Sequence, residues 1–279
     1  MKSCILLRSK ETNLPKKRAN NLSGKEWLQY SFSIWRDIKK ENGERQIKHP
    51  AMFPILLPSR IIDIFTKRYD VVLDPFMGIG STILAAYQNQ RLSIGFELSK
   101  DFVRIARNRI NETKGIFHTD KTLEPKIFNE DARLIDQEIA TETVDLCVTS
   151  PPYWDILNMR RTADGKNTVN YSNSDKDIGN IANYKIFLDE LKNIFAKVYN
   201  VLKYNGHCVV VVMDIRKKDK FYPFHSDVAY FMKEIGFSFE DIIIWDRQNE
   251  YNNMRPLGYP YVFRVNKVHE YILIFKKPK

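Results

Sequence analysis

The chain is predicted to be an α/β protein built on one largely parallel sheet, and three observations carry that expectation. Short apolar runs alternate with segments of helical periodicity from about residue 49 to the end. The 279 residues, 43% of them hydrophobic, suffice for one substantial core with peripheral additions. The run "VVLDPFMGIGSTILAAY" (71–87) reads as strand, glycine turn and helix in immediate succession.

The apolar runs predict seven strands: 69–74, 92–97, 126–131, 144–149, 207–214, 240–246 and 270–276. Helical periodicity predicts helices over 54–66, 80–90, 100–113, 183–203 and 225–236. The longest of these carries apolar residues at i, i+3, i+4 and i+7 and stops before Asn205-Gly206. No helix is expected between the last two strands, so an antiparallel pairing is predicted there. Residues 1–48 and 155–182 show no regular pattern, and irregular segments of that length in a compact domain are functional or disordered. The expected organisation is a basic N-terminal extension over 1–48 and a catalytic domain over 49–279, with insertions at about 155–182 and 247–267.

Charge is concentrated at the two ends. Residues 1–50 hold twelve Lys and Arg against five Asp and Glu, residues 51–241 hold 25 against 26, and residues 242–279 hold seven against three. A near-neutral middle with basic margins points to a polyanion, or more plainly to solvated basic ends. Cys4, Cys147 and Cys208 have neither zinc-site spacing nor disulfide density, so free thiols, no metal and a reducing compartment are expected. No apolar run reaches membrane-spanning length, and "MKSCILLRSKE" is too short in its apolar part for a signal peptide. A cytoplasmic protein without membrane contact follows.

Gly78 and Gly80 give the turn above the first strand the backbone freedom for close approach to a ligand. A dinucleotide fingerprint needs glycine where Ile83 stands, and a phosphate-cradling loop needs a Gly-Lys pair that is missing. Glu97 ends the second strand, in position to accept from ribose hydroxyls, and Asp131 ends the third, in position to accept from an adenine amine. With Asp74 beside a cationic amino-acid end, S-adenosylmethionine suits the set better than NAD or ATP. The plain alternative makes Asp74 and Asp131 helix caps and Glu97 a surface charge.

"TSPPYW" (149–154) leaves the fourth strand at the same sheet edge. Pro151 and Pro152 have fixed φ and no N–H, but their carbonyls still accept. The Ser150 hydroxyl and Pro151 carbonyl are placed to grip the hydrogens of a nucleobase amine and aim its lone pair at a methyl donor. Tyr153 would stack on an extruded base, with Trp154 widening that wall. The alternative is a Pro-Pro turn with its aromatics packed on the core.

"DPFMGIGST" and "TSPPYW" resemble motifs I and IV of the DNA amino-methyltransferases, which act on N4 of cytosine or N6 of adenine. "HPAMFPILLPSRIIDIF", "GFELS", "NEDAR" and "HEYILIFKK" resemble motifs X, II, III and VIII, so the likeness covers about residues 47–279. It implies the Rossmann-like fold of class I methyltransferases, a seven-stranded sheet with an antiparallel last strand, S-adenosylmethionine as cofactor and double-stranded DNA as substrate. The cofactor residues it implies are Asp74, Pro75, Phe76, Gly78, Gly80, Ser81, Thr82, Glu97, Leu98, Asp131 and Ala132, with His49, Pro50 and Phe53 from motif X. The catalytic residues it implies are Ser150, Pro151, Pro152 and Tyr153.

Ser before Pro-Pro-Tyr resembles the N4-cytosine enzymes, whereas Asp or Asn there is usual for N6-adenine. Attack at cytosine C5 needs a thiolate, and no Cys follows the prolines. The large recognition domain common in the family is missing, so DNA contact is expected from Trp154, Arg160, Arg161, Lys217, Lys218, Arg247, Asn252, Asn253, Arg255 and Arg264. His49, His225 and His269 are read as structural or cofactor-shaping. A cognate restriction endonuclease, and a monomeric or homodimeric state, are compatible with this reading.

Overall fold

The computed structural model describes residues 18–40, 42–45, 52–114, 120–155, 177–251 and 256–279. In chain order the elements are α1 (Gly24–Tyr30), β1 (Ile34–Trp35), α2 (Asn42–Arg45), α3 (Leu56–Phe65), β2 (Val71–Asp74), α4 (Ser81–Gln88), β3 (Leu92–Phe96) and α5 (Lys100–Thr113). There follow β4 (Lys126–Phe128), α6 (Ile135–Glu138), β5 (Val144–Thr149), α7 (Tyr184–Val201), β6 (Leu202–Val212), β7 (Ile215–Lys217), β8 (Lys220–Tyr222), α8 (Phe224–Ile235), β9 (Ser238–Asp246) and β10 (His269–Lys276).

Eight strands form one sheet in the order β1-β9-β10-β6-β5-β2-β3-β4. All neighbours pair in parallel except β10, which runs antiparallel to β6 and to β9. The near-continuous apolar runs of the central strands arise because both sheet faces are covered. Cys208, Val210 and Val212 of β6 face a core shared with Phe187, Leu191 and Phe195 of α7 and Val228 and Phe231 of α8. Val209 and Val211 face the opposite core, with Leu57, Ile61 and Ile62 of α3 and Ala85 and Ala86 of α4.

All seven expected strands and all five expected helices are present. The chain leaves α7 at Val201 and enters β6 at Leu202, earlier than expected, and the basic pair Lys217-Lys218 sits on the β7–β8 hairpin. The N-terminal part departs further from expectation. Residues 18–40 hold a helix and an eighth strand, with Ile34 and Trp35 pairing to Ile244 and Trp245 of β9. The signal for α1 is the Ser23–Glu26 capping box, in which Ser23 caps the helix and Glu26 accepts from the Ser23 N–H at 2.7 Å.

Trp35 and Ile38 are buried in the core shared with α3, so this segment is packed against the domain. Arg60, itself buried, donates two hydrogen bonds to Asp37 at 3.0 and 2.6 Å. Its guanidinium lies 4.6 Å from the Tyr30 ring centroid and 4.8 Å from that of Trp35. Removing Asp37 strands a buried cation, and removing the Trp35 ring opens a cavity. Urea unfolding is expected to show a loss of about 3–5 kcal/mol for Trp35→Ala and about 1–3 kcal/mol for Asp37→Ala, whose carboxylate is half exposed, against less than about 0.5 kcal/mol for an exposed control such as Lys39→Ala.

Candidate functional site

The C-terminal ends of β2, β3, β4, β5, β6 and β9 lie along one sheet edge, where antiparallel β10 begins. From β2 the chain winds outward through β3 and β4, then returns to the other side of β2 as β5. The order therefore reverses between β2 and β5, and such a reversal opens the ligand crevice of an α/β sheet.

On the β2 side, the chain passes Asp74 into a turn with Gly78 at φ +53° and Gly80 at φ +82°, the latter serving as the N-cap residue of α4. A side chain at Gly80 would be strained at that φ, and its Cβ would sit 2.9 Å from that of Ala106. Asp74 is buried and accepts from Thr149 Oγ1 at 2.6 Å and from the Phe76 N–H at 3.0 Å. Burial pushes its carboxyl up to about 6. Glu97, past the end of β3, accepts from the Ser99 N–H at 2.8 Å and from the Gly78 N–H. Burial, reinforced by the charges of Asp177 and Asp74, pushes it up to about 7. Asn129 holds the Glu97 and Leu98 carbonyls at 2.9 and 3.0 Å, which fixes this rim.

On the β5 side, Ser150 Oγ donates to the Tyr153 hydroxyl at 3.2 Å, and the Tyr153 hydroxyl donates to Glu270 Oε2 at 2.8 Å. Arg247 Nη1 donates to the other oxygen of Glu270. Burial, then the charge of Glu270, pushes the Tyr153 hydroxyl well above the phenol range, so it stays protonated. The Tyr153 ring is partly exposed and lies edge-on to Phe224 at 6.3 Å.

The structure brings Asp74, Gly78, Gly80, Glu97, Ser150, Pro151 and Tyr153 to this one edge. Pro75, Ser81, Thr82 and Ala132 are buried, while Phe76 and Leu98 are partly exposed. Phe53 packs against the core under α3. His49, Pro50, Arg160, Arg161, Asn252, Asn253 and Arg255 lie outside the described residues.

Four residues are placed otherwise than expected. Trp154 does not widen a base-stacking wall. At φ +52° the chain turns its ring back into the core, where Nε1 donates to the Ile181 carbonyl at 2.8 Å and Tyr184 and Tyr222 pack on it. Lys217 lies over that ring at 3.9 Å and pairs with Asp155, so it is committed inside the protein. Arg247 points inward to Glu270 and Glu250. Asp131 caps the short turn Ala132–Leu134 through the Arg133 N–H and binds the Arg133 guanidinium at 2.8 Å, as the capping alternative has it. Lys218 stays exposed at the hairpin turn, and Arg264 donates to its carbonyl at 3.0 Å.

Sequence reasoning missed Thr149, Asp177 and Glu270 as parts of the site. The signal for Glu270 was a carboxylate opening the otherwise apolar strand "YILIF"; Thr149 and Asp177 carried none, since only the fold brings them to Asp74 and Glu97. His225 and His269 flank Tyr271, His225 stacked at 4.0 Å and bonded to Asp214 at 2.6 Å, which agrees with a structural role.

The sheet order and the glycine turn at the switch point define the Rossmann-like fold of class I methyltransferases. A SAM-dependent methyltransferase from Methanosarcina mazei superposes with a TM-score of 0.50 at 12% identity, covering 78% of this chain and 97% of that one, a likeness of fold alone. The chain belongs to the N6/N4 family of DNA methylases, whose profile matches residues 6–108 and 144–279. It is 36% identical over 94 residues to the type II methyltransferase M.BglI of Bacillus subtilis, covering 33% of this chain and 26% of that protein. Over 87 residues it is 44% identical to the type II methyltransferase M2.DpnII of Streptococcus pneumoniae, covering 30% and 31% respectively. The aligned parts span about a quarter of the first curated relatives' own length.

The family's methyl donor is S-adenosylmethionine. The residues fit such a ligand. A buried carboxyl, Asp74, and a partly buried one, Glu97, both with raised pKa, suit a molecule bearing cationic and hydroxyl groups, and the turn lacks the lysine a phosphate would call for.

Both carboxyls titrate higher in the folded protein than in the unfolded chain, so the folded state holds their protons more tightly. Their contribution to stability is complete below about pH 4 and is lost as pH rises through 6 and 7. Thermal melts from pH 4.5 to 8 are expected to show Asp74→Asn and Glu97→Gln gaining stability relative to the wild type as pH rises. Added S-adenosylmethionine is expected to stabilise the wild type more at pH 8 than at pH 5.

Proposed function

We propose that the protein transfers a methyl group from S-adenosylmethionine to the exocyclic N4 amine of a cytosine flipped out of double-stranded DNA. The observation that carries this reading is the one-way hydrogen-bond chain ending at Ser150. The Glu270 carboxylate, held by Arg247, only accepts, so the Tyr153 proton points to it and the Tyr153 oxygen accepts from Ser150. With its proton committed to Tyr153, Ser150 Oγ has lone pairs left for an incoming N–H.

An amine gripped by Ser150 Oγ and the Pro151 carbonyl loses conjugation with its ring and turns its lone pair away from these two acceptors. Asp74 and Glu97 hold the donor on the adjoining strand ends, joined to the acceptor side through Thr149. S-adenosylmethionine supplies, when bound, an electrophilic sulfonium methyl group. No base is needed before transfer, since the alkylated amine is strongly acidic and gives up its proton to water.

A hydroxyl residue at position 150 supports cytosine, in line with the resemblance to N4 enzymes. The second reading, N6 of adenine, has the support that the family covers both amines. Mass spectrometry of DNA from a methylation-free host expressing the protein is expected to reveal 4-methylcytosine. Finding 6-methyladenine selects the second reading, and finding neither overturns both. Ser150→Ala is expected to lower kcat by about a hundredfold or more, the usual loss for a preorganised polar contact. Tyr153→Phe and Glu270→Gln keep the shapes but release the Ser150 proton, and are expected to lower kcat about tenfold with KM for DNA little changed.

A further inference from the structure

Between β9 and β10 the chain leaves the sheet edge and returns to it. The excursion is closed at its base by the Arg247 N–H donating to the Val268 carbonyl at 2.8 Å, and by the Arg247–Glu270 pair that also holds Tyr153. Its described tip is strongly apolar and uncovered: Tyr259, Tyr261, Phe263 and Val265 are 78%, 91%, 93% and 64% exposed. Single exposed apolar residues are ordinary, but a run with two almost fully exposed rings marks a surface that meets a partner.

The tip has a defined shape. Gly258, at φ +80°, accepts from the N–H groups of Tyr261 and Val262 at 2.8 and 2.7 Å, and a Cβ there would meet the Val262 carbonyl at 2.1 Å. Arg264 ties the tip to the Lys218 carbonyl of the β7–β8 hairpin, whose Lys218 and Lys220 are exposed. Residues 256–267 contain Arg264 and Lys267 and no acidic residue. Lys267 turns its ammonium inward over the Phe221 ring, so the cations beside the exposed rings are Lys218, Lys220 and the partly exposed Arg264. Such rings and cations, beside a site that must receive an unstacked base, suit a duplex whose bases offer π-faces and whose backbone is anionic.

We propose that the turn around Gly258–Val265 is a wedge that inserts Tyr261 and Phe263 into the base stack of duplex DNA next to the target nucleotide, with Lys218, Lys220 and Arg264 on the backbone. This inference rests on DNA as the substrate. Insertion props open the step that a flipped base vacates, which places the wedge on the same edge as Ser150.

The test is fluorescence-anisotropy titration of the full chain, without methyl donor, against a labelled DNA duplex of mixed sequence, the same duplex with a central mismatch, and the matching RNA duplex. The wild type is expected to favour the mismatched DNA, where unstacking is cheaper. Tyr261→Ala/Phe263→Ala is expected to bind DNA more weakly by about tenfold for each ring, to lose the mismatch preference, and to keep the salt dependence. Lys218→Ala/Lys220→Ala is expected to keep the preference and to flatten the slope of log affinity against log salt by about two. Unchanged DNA affinity and preference in the ring variant overturn the wedge, as does tighter binding to RNA, or a change in oligomeric state in place of DNA affinity. An unaltered thermal midpoint shows that the exposed rings were removed without unfolding. Because the titration needs no methyl transfer, a wild type that binds through the rings yet leaves DNA unmethylated counts against the proposed chemistry and leaves the wedge standing.

Discussion

The hydrogen bond from Thr149 to Asp74 ties together the two strand ends on which the rest of the site depends. β2 and β5 pair in parallel through Val72 and Leu73, and their chains then diverge, one into the glycine turn and the other into Pro151 and Pro152. A buried carboxylate at that divergence is costly to ionise, and Thr149 and the Phe76 N–H supply partial compensation. The bond thus fixes the spacing between the carboxyl-lined side of the edge and a turn that offers acceptors. Neither side can shift along the sheet without breaking it.

Charge is sorted across this divide. Asp74, Glu97 and Asp177 gather on the β2–β3 side, where each raises the protonation tendency of a neighbour or is itself raised by burial. The exposed Lys218 and Lys220 lie on the β7–β8 hairpin, and the partly exposed Arg264 lies on the neighbouring β9–β10 excursion. Opposite charges are thereby separated along one sheet edge. This sorting explains why the net charge of +10 says less than its placement.

The fold was legible in the sequence where local pattern and burial coincide. "VDLCVT" and "HCVVVVMD" are covered on both faces, so they read as continuous apolar runs, and the five long helices carry apolar stripes that match the faces they bury. β1 was illegible because two residues carry no period, and its place depends on Ile244 and Trp245 more than two hundred residues away. The site was legible in part for the same reason. Strand-end residues such as Asp74, Glu97 and Ser150 are placed by topology, which follows from the strand and helix order. Arg247, Lys217 and Trp154 looked like surface residues because Arg and Lys usually are, and because nothing local announces that Glu270, Asp155 and Ile181 await them. Composition registers the charge of a side chain and is silent on its direction.

The clasp at the foot of the β9–β10 excursion has an evolutionary consequence. Because the Arg247–Glu270 pair and the Arg247–Val268 backbone bond fasten both ends, the clasp that holds Tyr153 is made by residues at the sheet edge. In evolution, the exposed tip residues Tyr261 and Phe263 can therefore change while the residues of that clasp are kept.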